Sequence, residues 1–175
     1  MTSLNGLFSS SAISPTSFAR ELETALKAWE AVADISFSRA DPAVADILIG
    51  AQAEPAGFAF ANVEYDERST GSGFRSISQS LICFNPLRRW KIGFDGNLDV
   101  YDLRYVLMHE LGHAIGLNHP RVGGGQVVAH KYGEQVRELQ PGDIRGVATL
   151  YGSRGGVSDI RIGDVRGSRG EFKLR

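Results

Sequence analysis

Val106-Leu-Met-His-Glu-Leu-Gly-His-Ala-Ile-Gly-Leu-Asn-His-Pro120 decides the fold of this chain, because it contains three of the four histidines in the sequence. His109 and His113 are four residues apart. On an α-helix their side chains therefore fall on one face, about one turn apart, and can share a metal ion. Glu110 follows His109 directly. The spacing predicts a helix that carries a zinc site with a carboxylate beside it.

The chain is expected to reverse direction directly after this helix. Gly116 follows His113 by three residues, where a helix commonly ends in a backbone conformation with positive φ that glycine adopts at little cost. The reversal would bring His119 toward the same ion, and Pro120 cannot continue a helix. Three neutral imidazoles leave the fourth tetrahedral position of zinc for water, which is typical of a catalytic site. Glu110 is then placed to act as the general base.

The full pattern, His-Glu-x-x-His-x-x-Gly-x-x-His, resembles the long zinc signature of the metzincin metallopeptidases. Pro120 and the flanking Leu107, Ala114 and Leu117 make it most similar to the matrixin and serralysin branches, and in particular to a small matrixin of the bacterial type. The resemblance covers residues 14–152, strongly at the zinc motif and at the last helix and weakly between them.

This resemblance implies both a fold and an activity. The expected fold is an α+β, zincin-like domain with a twisted mixed sheet of about five strands, three main helices and an active-site cleft under an edge strand. The expected activity is that of a zinc-dependent endopeptidase, in which metal-activated water attacks the peptide bond and Glu110 is the base. One catalytic zinc ion would be bound by His109, His113 and His119.

Composition is that of an ordinary soluble globular protein. The 175 residues fit one domain, and a net charge of -1 provides no basic field for nucleic acid. The single cysteine, Cys83, rules out an internal disulfide framework, and no apolar run is long enough for a membrane helix. We expect a monomer without a nucleic-acid partner or a membrane span, and the resemblance implies a protein or peptide substrate.

The resemblance implies an extracellular enzyme, and no other feature of the sequence indicates a location. The first eight residues have no basic start and no apolar run typical of a signal peptide. Either the sequence is a fragment of a longer one or the protein works where it is made.

Apolar spacing predicts the elements around the zinc helix. Ser14 and Pro15 are typical of the capped start of an amphipathic helix that extends to about Ala33. Short apolar or alternating runs predict strands at residues 35–38, 45–50, 56–62 and 80–85, and a final capped helix at residues 140–152. The resemblance implies that the third of these strands is the edge strand that in matrixins pairs with an extended substrate, here near Phe58 and Ala59.

The two ends of the chain have weaker patterns. Members of the family begin the domain with a strand, but residues 7–13 form a poor strand pattern, so that strand is expected to be missing or short. We assign residues 1–152 to the catalytic domain. Residues 153–175 are rich in Gly, Arg, Ser and Asp, which predicts a flexible or truncated tail, with a strand at residues 157–162 as the alternative.

Metzincins pass beneath the metal through a turn that carries a methionine. Counting back from the matrixin-like ending at residues 143–152, this methionine falls at Val128. Valine could supply the same apolar floor with a looser fit. His130, two residues later, could be an auxiliary ligand, a hydrogen-bond donor to the oxyanion or an exposed loop residue. Tyr132 matches the matrixin tyrosine in the wall of the primed-side pocket.

Two further metal sites are considered, and the residues favour neither. Many matrixins bind a structural zinc ion through histidines that align with Phe60 and Cys83, so we expect no structural zinc and a small, buried, apolar role for Cys83. Asp95-Gly-Asn-Leu-Asp99 has oxygen ligands at alternate positions, but the rest of an EF-hand loop is absent, so calcium binding is unsupported. We expect Asp99 to cap the zinc helix instead, with Asp102 in its first turn.

Two other functions compete with the peptidase. One is a metzincin-fold binding module that keeps zinc without useful turnover, which Val128 and the weak first strand suggest. The other is a catalytic core that acts only after release or within a larger protein. Turnover that depends on both zinc and Glu110 would separate the peptidase from the binding module.

Overall fold

The computed structural model of the chain describes residues 1–68, 73–121, 125–153 and 158–165. None of the helices in these ranges is long and apolar enough to cross a membrane. The elements follow in the order α1 (Asn5–Ser11), α2 (Pro15–Glu30), β1 (Ile35–Arg39), β2 (Ile47–Ala51), β3 (Ala59–Tyr65), β4 (Ile77–Phe84), β5 (Trp90–Lys91), β6 (Tyr101–Asp102), α3 (Leu103–Ala114), α4 (Pro141–Tyr151) and β7 (Ser158–Asp164), with a 3-10 turn at Pro42–Val44.

Five of the strands form one mixed sheet in the order β1-β7-β2-β4-β3. β1, β7, β2 and β4 are parallel, and β3 pairs with β4 in the antiparallel direction at one edge. The predicted α+β class, the five-stranded mixed sheet and the three main helices are confirmed. α2 and α3 pack against each other, and the fully buried Trp29 donates its indole N–H to the carbonyl of Met108, at 3.1 Å. This bond fixes the zinc-motif helix on the first long helix.

The first long helix begins as its sequence predicts. The Ser14 hydroxyl accepts a hydrogen bond from the Ser17 amide at 3.0 Å, and Pro15 is the first helical residue. The helix ends at Glu30, slightly before the predicted Ala33, and buries a face that includes Phe18, Ala19, Leu22, Ala25, Leu26 and Trp29. Burial of this face, rather than intrinsic helix propensity, supplies most of its stability.

A short helix precedes α2, where the resemblance to metzincins implies a strand. α1 covers part of residues 7–13, and its Leu7 is fully buried. Before α1, the backbone of Thr2 forms an isolated antiparallel bridge with that of Ala51, through two hydrogen bonds of 2.8 Å. The expectation of a missing or short first strand agrees with this arrangement.

The end of the chain differs from the main expectation, because Ser158–Asp164 is a central strand and not part of a flexible or truncated tail. β7 lies between β1 and β2, and within the described residues it is the one strand that pairs with β1. The Arg161 guanidinium makes two hydrogen bonds to the Asp46 carboxylate, of 2.7 and 2.9 Å. Residues 154–157, including the predicted first residue of the strand, and residues 166–175 lie outside the described ranges.

A strand at residues 157–162 is the alternative expected from the sequence, and the glycine inside the observed strand has a structural role. A Cβ atom at Gly163 would lie 3.0 Å from the Cβ of Ala45 and 3.2 Å from the Cα of Pro42. The connection from β1 to β2 therefore crosses β7 at a distance that only glycine accommodates without a shift.

We predict that Ile162→Ala lowers the free energy of unfolding by about 2–5 kcal/mol, because Ile162 is buried in β7 and its truncation leaves a cavity. Equilibrium unfolding in urea measures the change. Ile160→Ala, at a half-buried position of the same strand, is the matched control and should cost less. An unchanged unfolding midpoint for Ile162→Ala would mean that β7 does not belong to the sheet.

Candidate metal centre

Asp102, and not the predicted Asp99, caps the zinc-motif helix. Its carboxylate accepts the Tyr105 amide at 2.9 Å and the Gly93 amide at 2.6 Å, and pairs with the Arg137 guanidinium at 2.9 and 3.0 Å. Asp102 belongs to β6, which pairs with β5 and delays the start of the helix beyond Asp99. This strand pairing, which a local helix pattern does not reveal, is the physical reason for the correction.

The structure brings the three predicted histidines together. α3 ends at Ala114, and the chain reverses through Gly116, whose φ is 100°. His119 is thereby returned to the helix. The Nε2 atom of His113 lies 3.0 Å from that of His109 and 3.1 Å from that of His119, and the third separation is 3.3 Å.

These three nitrogens fit a zinc ion. Zinc–nitrogen bonds of about 2.0–2.1 Å in a tetrahedral site place the ligand atoms about 3.3–3.4 Å apart. The Nδ1 atoms of His109 and His113 donate to the carbonyls of Val127 and Leu117, each at 2.7 Å. A carbonyl can only accept, so Nδ1 carries the hydrogen and the Nε2 lone pairs converge. Converging lone pairs are stabilised by a cation.

Burial favours the neutral imidazoles that bind metals. It lowers the pKa of His109 to about 4, and the neighbouring His113 contributes, while the hydrogen bond to the Val127 carbonyl opposes the shift. The pKa of His119 is also lowered, first by burial and then by His113 and His130. A histidine with a pKa below 7 is neutral at neutral pH, so less proton competition opposes metal binding.

Glu110 is buried beside the histidines, with a side chain that has an unused acceptor. Within the described part of the chain its Oε2 atom has no hydrogen-bond partner. Burial raises the pKa of Glu110 to about 7, against the lowering effect of the Ala61 amide. A bound divalent cation would lower this pKa again by attraction. A buried carboxylate oxygen without a partner is suited to bind water or substrate.

A cleft of about 450 Å³ opens over the histidines. Each predicted substrate-side or auxiliary residue, Phe58, Ala59, His130 and Tyr132, lines it. Ala61 of the edge strand lines it too.

Four aromatic residues form a wall of the cleft, and two of them, Tyr101 and Tyr105, were not singled out in the sequence. The Phe58 ring stacks on the Tyr101 ring at 3.7 Å between centroids, and Tyr101 stacks on Tyr132 at 4.1 Å. Tyr105 meets Tyr132 edge-on at 5.0 Å. Tyr105 precedes His109 by one helical turn and could have been found from that spacing, whereas Tyr101 is placed by β6.

Tyr132 is held in this wall by its hydroxyl group. The hydroxyl accepts the Asp102 amide at 3.0 Å and donates to Glu134 at 2.9 Å. The Lys91 ammonium contacts the carboxylates of Glu134 and Asp95 and donates to the Asn97 carbonyl at 2.7 Å. Asp95 and the Asn97 carbonyl, in the loop considered above for calcium, therefore contact a cation that the chain itself supplies. Calcium binding there stays unsupported.

The turn beneath the metal centre is held by α4. The buried Asp143 carboxylate accepts the amides of Val127 at 3.0 Å and Val128 at 3.1 Å, and that of Gln140 at 2.8 Å. Val128, the predicted position of the turn methionine, is buried against α3. A Cβ at Gly112 would lie 2.8 Å from Val128 Cγ2, so a larger residue between His109 and His113 would force the turn to shift. The sequence marked Asp143 only as part of the helix.

The two positions aligned with a structural zinc site face each other across neighbouring strands. Phe60 of β3 pairs with Cys83 of β4. Cys83 is buried, as expected for a small apolar residue, and burial raises the pKa of its thiol. The expectation of no structural zinc here stays a prediction.

Comparisons with known proteins point in the same direction as the geometry. The Matrixin family model, a peptidase family, matches residues 7–152. Stromelysin-2 of Rattus norvegicus is 30% identical over 141 residues, which are 76% of this chain and 28% of that protein. Matrilysin of Rattus norvegicus is 27% identical over 140 residues, 76% of this chain and 50% of that protein. Matrix metalloproteinase-20 of Homo sapiens is 26% identical over 147 residues, which are 77% of this chain and 28% of that protein. The chain thus spans at most half the length of these relatives.

We predict that Asp143→Asn lowers the free energy of unfolding by about 1–3 kcal/mol, because one amide oxygen cannot replace two carboxylate oxygens for three buried N–H donors. Zinc affinity should fall about tenfold to a hundredfold, because the turn that holds the Val127 carbonyl loosens. Urea unfolding and zinc competition with a chelator measure the two effects. Glu138→Gln, at an exposed position near the same helix, is the control. Loss of stability with unchanged zinc affinity would show that Asp143 does not act on the metal centre.

Proposed function

The chain belongs to the matrixin family, and from this premise we propose that it is a zinc-dependent endopeptidase with Glu110 as its general base. One observation carries the proposal. Three histidine Nε2 atoms converge within 3.3 Å of one another beside a buried carboxylate oxygen without a partner, at the floor of a cleft under an edge strand. This combination supports hydrolysis by activated water better than it supports a purely structural metal site.

His109, His113 and His119 would hold the zinc ion through their Nε2 atoms. When bound, zinc supplies a Lewis acid that polarises a substrate carbonyl and lowers the pKa of water. The carbonyls of Val127 and Leu117 keep two of the rings oriented through their Nδ1 hydrogens. The chain thereby supplies the neutral, oriented imidazoles that the ion requires.

Glu110 would handle the proton in both halves of the reaction. It accepts a proton from the attacking water as the water oxygen bonds to the carbonyl carbon. It then donates that proton to the amine as the carbon–nitrogen bond breaks. The products are a free carboxyl group and an amine, and no covalent bond to the protein forms. The unpartnered Oε2 atom supports this role because it is available to the water.

The substrate would be an extended segment of a protein or peptide. β3 is the outer strand of the sheet at the cleft, and an extended chain can add to such an edge through backbone hydrogen bonds. The small side chains of Ala59 and Ala61 line the cleft beside this strand and leave room for that segment. A monomeric state remains an expectation, and so does the extracellular location that the resemblance implies.

A second candidate is a zinc-binding module of the same fold with little turnover. Val128 favours it, because a valine fills less volume beneath the histidines than the methionine found there in metzincins. The two candidates predict the same metal content but different catalysis.

We expect Glu110→Gln to bind zinc as the wild type does and to cleave peptides about 10²- to 10⁴-fold more slowly, because an amide cannot accept the proton from water. Mass spectrometry of a mixed peptide library, with zinc content measured and a chelator control, tests this. Glu138→Gln, which removes an exposed carboxylate, should cleave at the wild-type rate. Near-normal cleavage by zinc-loaded Glu110→Gln would exclude Glu110 as the base. A wild type with one zinc per chain and no cleavage would favour the binding module, and Val128→Met would then be made.

His113→Ala should lose both the metal and the stability that the metal provides. Zinc that binds only the folded state stabilises it by about 4 kcal/mol at a thousand times the dissociation constant. Thermal unfolding with and without zinc should therefore shift for the wild type and hardly at all for His113→Ala. The metal-free proteins serve as the reference for any direct effect of the substitution. Stoichiometric zinc in His113→Ala would show that the ligand set is wrong.

A further inference from the structure

His130, the one histidine outside the three-nitrogen cluster, lies beside it in the same cleft. Its ring centroid is 5.0 Å from that of His119, with the rings nearly perpendicular at 82°. The ligand atoms of His109, His113 and His119 lie within 4.8 Å of one another, and His130 does not join this group. The three clustered nitrogens already satisfy the ligand set of a catalytic site, so His130 is a neighbour of the centre and not one of its ligands.

The backbone that carries His130 is fixed although the side chain is exposed. Directly before it, Val128 and Ala129 are buried, and the Ala129 amide donates to the Gln126 carbonyl at 3.2 Å. The Asp143 carboxylate anchors the same turn through the Val127 and Val128 amides. An imidazole on a rigid turn can be aimed at the cleft without a large ordering cost when substrate binds.

Glu110 and His130 reach the cleft from different elements. Glu110 is on α3 and accepts a hydrogen bond from the Ala61 amide of the edge strand. His130 follows the turn that Asp143 anchors, and its ring packs against the ring of His119. A carbonyl between them would have the base on one side and an N–H donor on the other. A neutral imidazole carries one N–H, and a donor aimed at the oxygen on which charge develops accelerates such reactions.

We propose that His130 is a further catalytic residue, which donates an N–H hydrogen bond to the scissile carbonyl oxygen as that oxygen becomes negative. The hydrogen bond transfers no proton and leaves the ligand set unchanged. The proposal rests on the peptidase function proposed above, and it excludes the two other roles open to this residue, metal ligand and bystander on the loop.

A matched pair of variants tests the donor. His130→Leu has a side chain of similar reach without an N–H, whereas His130→Gln keeps an amide N–H donor. We expect kcat to fall about tenfold to a hundredfold in His130→Leu with KM changed less than about threefold, and His130→Gln to recover most of the loss. Lys131→Ala, at the next exposed position of the loop, should behave as the wild type.

Two measurements other than turnover complete the test. A phosphinic peptide, whose tetrahedral phosphorus mimics the oxyanion, should bind His130→Leu more weakly by about the factor lost in kcat. The visible spectrum of the cobalt-substituted protein should be the same in the wild type and in His130→Leu, because the ligands are unchanged.

The outcomes separate this proposal from the one on which it rests. A zinc-loaded wild type that cleaves no peptide overturns the peptidase function and this proposal together. Equal turnover and equal phosphinic-peptide affinity in wild type and His130→Leu overturn the role of His130 alone. A changed cobalt spectrum or a loss of zinc in His130→Leu also overturns it, because His130 would then be a ligand.

Discussion

Three imidazole nitrogens that point at one another within 3.3 Å are the constraint on which the rest of the site depends. Converging lone pairs repel in the absence of a cation, so the protein has to hold each ring by other contacts. The Leu117 carbonyl, which holds His113, belongs to the reversal that returns His119. One turn through Gly116 therefore supplies both the third nitrogen and the acceptor that orients the second.

The remaining acceptor comes from far along the chain. The Val127 carbonyl holds His109, and the Asp143 carboxylate holds the Val127 amide. Val128 then packs at Gly112, between the two helical histidines. The metal centre is thus oriented by a turn that depends on a buried carboxylate at the start of α4.

Local patterns in the sequence predicted the parts of this arrangement that depend on short-range geometry. The helix, its reversal at Gly116 and the three histidines follow from spacing within fifteen residues, and Ser14 caps α2 as its sequence indicates. Features created by strand pairing were not predictable in this way. Asp102 replaces Asp99 as the cap because β6 pairs with β5. Tyr101 enters the aromatic wall for the same reason, and the central position of β7 depends on partners more than a hundred residues earlier.

α4 lies between two features whose roles the local patterns did not predict, namely the Asp143 carboxylate and the central position of β7. Its first turn carries the Asp143 carboxylate, which holds the turn beneath the histidines. It ends at Tyr151, and the carbonyl of the next residue, Gly152, accepts the Asp34 amide at 3.3 Å directly before β1. β7 then pairs with β1 from Ile35 onward. α4 therefore contacts the turn that orients His109 at its start, and its C-cap contacts the residue before β1 at its end. Because β7 pairs along the whole of β1, one helix links the contacts that orient His109 to the strand beside which the end of the chain is placed.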